Sequence, residues 1–137
     1  MKPGSVLIDH TTSSPDLAER IASALAAKGI GSIDAPVSGG DIGAKNGQVV
    51  SMCGGLKEDF DRVEPLMLHY SKRVKLMGGP GKGQHTKMAN QIMIANIMMG
   101  VSEAMIYSHK SGLDIADMIE LLSGGAAASF ALSNLAP

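Results

Sequence analysis

A single cysteine, Cys53, occurs in the 137 residues. One thiol excludes an internal disulfide and a cysteine-cluster zinc site. Tryptophan is absent and aromatic residues make up only 3% of the chain. Excess positive charge is also lacking: Lys plus Arg is 12 against 13 for Asp plus Glu, a net charge of -1. Proteins that follow a phosphate backbone carry a basic excess, so no nucleic-acid partner is expected. The longest apolar stretch, Met88 to Tyr107, is broken by Asn90, Gln91, Asn96, Ser102 and Glu103. A bilayer span tolerates few such groups, and no membrane partner is expected either. The short apolar run after Gly4 cannot serve as a signal h-region. With no targeting segment recognised, cytoplasmic and mitochondrial locations both stay open.

Nucleotide fingerprints are missing as well. A G-x-G-x-x-G motif starting at Gly79 or Gly81 needs glycine at 84 or 86, where Gln84 and Thr86 stand. Gly81-Lys82 is followed by Gly83, which breaks a Walker motif. The four histidines show no i, i+4 pair and no H-E-x-x-H, so no metal is expected. Cys53 sits in an apolar strand and reads as a small buried hydrophobe.

What is present is glycine and methionine. There are 17 Gly and 10 Met, and five of the methionines fall between Met88 and Met105. At 45% hydrophobic residues the chain has a globular composition. Its length suits about one domain.

Val6 to Asp9 predicts a buried strand. Ser14 as cap, Pro15 at the first helical position and Asp16 beside the N-terminal dipole predict a helix, which Gly29 closes. Leu17, Ile21, Ala24 and Leu25 mark its apolar face. Ile30 to Val37 reads as a strand that Pro36 must end or hold at an edge. Ser38 to Gly47 contains four glycines and reads as a loop. Gln48 to Cys53 is a third strand. Lys57 to Leu68 is a helix with Phe60, Val63, Leu66 and Met67 on one face. Arg73 to Met77 alternates as a fourth strand. From Gln84 to Ser111 the only glycine is Gly100 and there is no proline, which predicts a helix about 40 Å long. It is apolar around most of its circumference and so needs cover on nearly all sides. Ile115 to Leu122 is a shorter helix, and Ser129 to Leu135 begins another.

Strands alternating with helices, then helices alone, define an α/β unit joined to an all-α segment. Two segments stand out. In Asp34-Ala35-Pro36-Val37-Ser38-Gly39-Gly40 a strand ends where backbone amides lie beside a Ser hydroxyl, a nest for a carboxylate or phosphate. The alternative is a loop whose glycines only satisfy backbone geometry. In Gly81 to Gln91, Lys87 falls near the start of a mainly apolar helix, with Asn90 three residues on along the same face. The helix dipole and partial burial both lower a lysine pKa there, which makes a usable base. The alternative is a solvated lysine in a frayed turn.

Together these segments resemble the 3-hydroxyacid dehydrogenase family, the relatives of 3-hydroxyisobutyrate dehydrogenase and 6-phosphogluconate dehydrogenase. Asp34 to Gly40, followed by Gly43-Ala44, is similar to the family's substrate-binding segment. Gly81-x-Gly83-x-x-x-Lys87-x-x-Asn90-Gln91 is similar to its catalytic segment. Asp9-His10-Thr11-Thr12-Ser13-Ser14-Pro15 is similar to the stretch that reaches the nicotinamide. The run Asp34 to Gly47 looks closest to the plant-type branch. The resemblance implies a partial chain, without the N-terminal G-x-G-x-x-G unit and most of the C-terminal helical domain. Residues 1–83 would be the second half of a Rossmann-like α/β domain with its substrate loop. Residues 84–137 would be the long interdomain helix and the start of the all-α domain.

It also implies NAD or NADP as cofactor and a small 3-hydroxy acid or its semialdehyde as substrate. Lys87 would be the general acid/base and Asn90 would hold the substrate oxygen. Ser38, Gly39 and Gly40 would bind the carboxylate, and Thr12 would lie beside the nicotinamide. A homodimer through the long helix is expected, because the helix offers more apolar surface than its neighbours can cover. A non-catalytic oligomerisation or binding module that keeps the fold is the alternative from a different class.

Overall fold

The computed structural model describes residues 1–136, so Pro137, the last residue of the expected helical segment, lies outside the description. Five strands and six helices follow one another along the described residues: β1 (Val6–Asp9), α1 (Pro15–Ala26), β2 (Gly31–Asp34), β3 (Val37–Ser38), α2 (Gly40–Lys45), β4 (Val49–Gly55), α3 (Lys57–Met67), β5 (Ser71–Leu76), α4 (Lys82–Ser111), α5 (Ile115–Ser123) and α6 (Phe130–Asn134). The chain divides into two compact units, Met1–Ala89 and the part from Asn90 onward. The division falls inside α4.

In the first unit β1 pairs parallel with β2 and β4 pairs parallel with β5, while β2 and β4 run antiparallel. The single strand expected over Ile30 to Val37 is broken at Ala35-Pro36. Its two halves, β2 and β3, both pair with β4, Asp34 opposite Gly54 and Val37 opposite Ser51. Proline has no N–H to give the ladder, but its carbonyl still accepts from the Met52 amide at 3.0 Å, so the strand resumes after the break.

Local signals account for α1. Ser14 Oγ accepts from the Leu17 amide at 3.2 Å. Pro15 occupies the first turn, and Gly29 takes a left-handed φ of 65° beyond the helix. The buried residue is Ala18 rather than Leu17, which is 42% exposed. In α3 the expected face is right for Phe60, Val63 and Met67, all buried, and wrong for Leu66, which is 58% exposed. Those three residues pack with Ile33, Ala35 and Cys53 to form the core, with Val6, Ile8, Tyr70, Val74 and Leu76 around it. Full burial of each large side chain stabilises by about 1.5–3 kcal/mol. Burial also pushes the Cys53 thiol up to about 12, so it stays protonated and inert, as the strand pattern implied.

The loop expected over Ser38 to Gly47 contains a short helix, α2. A helix in so glycine-rich a stretch has low intrinsic propensity. The backbone allows it because Gly39 (φ 137°) and Gly40 (φ 64°) turn the chain sharply after β3. A Cβ on Gly39 would also lie 3.3 Å from the Val49 backbone.

In the second unit α5 is capped by Asp114, whose side chain accepts from the Asp117 amide, and α6 by Ser129, which accepts from the Leu132 amide. The long apolar helix, expected to offer more surface than its neighbours can cover, is open along much of its length. Ile92, Met93, Met99 and Ile106 are 58%, 66%, 62% and 57% exposed. No described helix is long and apolar enough to cross a membrane.

Candidate active site

The site starts from Asp34, the last residue of β2. Its side chain is 5% exposed and accepts two backbone N–H groups at the start of α4, from Gly81 at 2.8 Å and from Gln84 at 3.0 Å. A helix begins with N–H groups that lack intrahelical partners, and a carboxylate is a favoured group to meet them. Here the cap comes from 47 positions away in sequence for Gly81. Burial lifts the Asp34 carboxyl above its ordinary value, against the opposing pull of the N–H donors of Gly81 and Gln84.

The approach is close enough to need glycine. A Cβ on Gly83 would lie 2.5 Å from the carbonyl oxygens of both Asp34 and Met52. Real Cβ atoms do not approach backbone oxygens so closely, so this glycine is what lets α4 seat against the sheet.

Docking α4 in this way brings the two unusual sequence segments together. Lys87, in the second turn, donates from Nζ to the Val37 carbonyl at 2.8 Å. Val37 is the residue before Ser38, Gly39 and Gly40, so the lysine is held at the edge of the glycine turn. Desolvation lowers its pKa below the ordinary lysine value. Lys87 is thus half-buried and bonded, not a solvated side chain in a frayed turn.

A third segment is tied to the same helix. Gln84 is 2% exposed. Its Nε2 donates to the Thr11 carbonyl at 2.8 Å, and its Oε1 accepts from the Ser13 amide at 3.0 Å. Thr12 lies between these two anchors with an exposed side chain. Thr11 is further fixed by Asp9, whose Oδ1 accepts from the Thr11 amide at 2.9 Å and the Thr11 hydroxyl at 2.7 Å. His10 joins this segment to the next. Nδ1 lies 2.7 Å from the Ala35 carbonyl, which can only accept, so this nitrogen carries the proton. Nε2 lies within hydrogen-bond distance of the Tyr70 hydroxyl, at 2.9 Å. The two rings meet edge to face.

In the first unit, then, Lys87 is bonded to the backbone of the Ser38-Gly39-Gly40 segment, and the Thr12 segment is bonded to α4 through Gln84. Asn90 follows Lys87 by three residues in the same helix and belongs to the second unit. Its side-chain amide donates to Gln91 Oε1 at 2.9 Å. Sequence reasoning did not identify the roles of Asp34, Gln84, His10 or Tyr70. Gly83 stood in the segment that resembles the family's catalytic one, but its close packing on the sheet was not legible there. Ser13 Oγ, also unremarked, is buried with no hydrogen-bond partner among the described residues.

Comparison with known proteins places this arrangement in a family. The family model for the NAD binding domain of 6-phosphogluconate dehydrogenase matches residues 1–79. That for the NAD-binding region of NADP-dependent 3-hydroxyisobutyrate dehydrogenase matches residues 81–137. The chain belongs to the 3-hydroxyacid dehydrogenase family that these models describe.

Among relatives, it is 51% identical to an uncharacterized oxidoreductase of Bacillus subtilis over 99% of this chain and 47% of that protein. It is 51% identical to a probable mitochondrial 3-hydroxyisobutyrate dehydrogenase-like protein of Arabidopsis thaliana, over 94% of this chain and 38% of the relative. The solved 3-hydroxyisobutyrate dehydrogenase of Salmonella typhimurium is 30% identical and superposes with a TM-score of 0.89, over 98% of this chain and 47% of that one. The chain thus spans about half the length of the relatives it matches.

Proposed function

We propose that these residues form the substrate side of an NAD(P)-dependent oxidoreductase that interconverts a small 3-hydroxy acid and its semialdehyde or ketone. The observation that carries this reading is the Lys87 Nζ bond to the Val37 carbonyl. It joins a lysine whose pKa is lowered by burial to the turn where Ser38, Gly39 and Gly40 offer a hydroxyl and backbone amides. A carboxylate matches that turn. A substrate hydroxyl held near it comes within reach of Lys87, and general acid–base help of this kind is worth about 10²- to 10⁴-fold. In the oxidative direction Lys87 takes the hydroxyl proton, and in the reductive direction it returns it. Asn90, one helical step beyond, donates its amide to the substrate oxygen.

Thr12 is exposed on a segment held from behind by Gln84, and this fits a residue that lines one side of a nicotinamide ring. Hydride acceptance and donation are supplied by that ring when NAD or NADP is bound. In this reading residues 1–83 are the partial Rossmann-like part with its substrate loop, and residues 84–137 are the long helix and the start of the helical part. The exposed Ile92, Met93, Met99 and Ile106 support self-association through α4. Apolar burial is worth about 25 cal/mol per Å², and Met-rich faces adapt readily to a partner.

The test is a spectrophotometric panel on a chain of the relatives' length that contains these residues. It compares 3-hydroxy acids with 2-hydroxy acids, each with NAD⁺ and NADP⁺. Turnover confined to 3-hydroxy acids is expected. No turnover with any of them, in a folded protein that binds cofactor, would favour the non-catalytic binding module.

A further inference from the structure

We infer that Gln84 is a positioning residue, whose buried side-chain amide sets the backbone of the Thr11–Ser13 segment and so fixes where Thr12 stands relative to the helix that carries Lys87. This rests on the function proposed above for Thr12 and Lys87. The geometry is specific. A glutamine amide has one carbonyl and one NH₂ at a fixed separation, and here each end meets the opposite kind of backbone group. Nε2 donates to the Thr11 carbonyl at 2.8 Å and Oε1 accepts from the Ser13 amide at 3.0 Å, across 73 and 71 positions of sequence. Thr12 is the one residue between the two anchors. No other side chain type offers both groups at this length. Glutamate has no donor, methionine has neither group, and asparagine is one methylene short.

The other end of Gln84 is equally fixed. Its backbone N–H is one of the two that donate to the Asp34 carboxylate. Lys87 follows three residues later in α4, so the two side chains leave neighbouring turns of one helix. A single rigid element therefore carries the proton-transferring lysine and the clamp on the segment assigned to the nicotinamide side. Asp9 holds the Thr11 amide and hydroxyl locally, but Gln84 is the side chain that ties the segment to α4. Displacements of about 1 Å in such an alignment cost on the order of 10²-fold in rate, so a clamp of this kind acts on turnover rather than on substrate affinity.

The experiment has two arms. In the 137-residue chain, amide hydrogen exchange is followed by NMR for unsubstituted protein and for Gln84→Met. Loss of its acceptor should speed exchange of the Ser13 amide at least tenfold. The Met52 amide, bonded to the Pro36 carbonyl in the sheet, should keep its protection. If Gln84→Met does not fold, a scalar coupling across the hydrogen bond from the Ser13 nitrogen to the Gln84 side-chain carbonyl carbon in the unsubstituted chain decides this arm. In a chain of the relatives' length, Gln84→Met should lower kcat at least tenfold while KM for the hydroxy acid stays within twofold.

Unchanged Ser13 exchange, an absent coupling, or equal loss of protection at Ser13 and Met52 would overturn the assignment, as would an unchanged kcat. Failure of the proposed function shows differently: Lys87→Ala would then retain turnover while the Ser13 amide still depends on Gln84.

Discussion

Replacing Asp34 by alanine should unseat the N-terminus of α4. The carboxylate accepts from Gly81 at 2.8 Å and from Gln84 at 3.0 Å, and both donor residues are buried. Alanine leaves two buried N–H groups without partners, each costing about 1–3 kcal/mol. Part of that loss is offset because a buried charge disappears as well, and desolvation disfavours that charge, which raises the carboxyl's pKa. The net expectation is a loss of about 2–4 kcal/mol, a large share of the about 5–15 kcal/mol that holds a domain together.

Urea denaturation followed by far-ultraviolet circular dichroism measures it, with an unchanged m-value showing that the unfolding unit is the same. The pH dependence has a definite sign. A carboxyl whose folded pKa lies above its unfolded value contributes stability that is present below the ordinary 3.8 and lost as pH rises through the folded value. Unsubstituted protein should therefore lose stability relative to Asp34→Asn across that window. A stability change below about 0.5 kcal/mol in Asp34→Ala would refute the capping role of Asp34.

Four further outcomes follow from the same structure. Gly83→Ala should destabilise by more than the about 1–3 kcal/mol typical of overpacking, because a Cβ would meet two backbone carbonyls at 2.5 Å; thermal denaturation checks it. Ser13→Ala should be neutral or stabilising by about 1 kcal/mol, since it removes a buried hydroxyl with no partner. The Lys87 side chain should titrate below the ordinary 10.5 in an NMR pH series on the chain, and the protein should gain stability as pH rises through the lowered value toward 10.5, because the cost of burying the charge is relieved. Calorimetric titration of NADH or NADPH into the 137-residue chain should show weak binding, because these residues contain no G-x-G-x-x-G turn for the pyrophosphate; micromolar affinity would contradict that.

What the sequence disclosed follows the range of the interactions. Ser14, Pro15 and Gly29 act within a few residues of themselves, and α1 came out with the expected cap and stop. The alternation from Arg73 onward gave β5, where Arg73 and Lys75 are exposed and Val74 and Leu76 are turned in. Helix α2 was not legible because glycine-rich composition argues against helix locally, and the positive φ values of Gly39 and Gly40, just after the β3 pairing with β4, are not readable from composition.

The same limit held at the site. Lys87 and the Ser38-Gly39-Gly40 turn were conspicuous as residue types, and the family resemblance tied them together. The groups that position them act across the fold: Asp34 onto α4, Gln84 onto the Thr12 segment, and His10 between Ala35 and Tyr70. A polar residue at a strand end or a helix start has many ordinary explanations, and periodicity does not reveal its partner 25 to 73 positions away. The long helix shows the converse. Its apolar circumference was plain in the sequence, and what covers Met93 and Met99 is not found among the described residues.

The most direct test of proton transfer by Lys87 is turnover of Lys87→Ala and Lys87→Arg, followed at the absorbance of the reduced nicotinamide in a chain of the relatives' length. Arginine keeps the positive charge but does not give up its proton near neutrality. Both variants should fold, bind cofactor with unchanged affinity and lose turnover by about 10²-fold or more. Retained turnover in either variant would contradict the assignment and remove Lys87 from the chemistry.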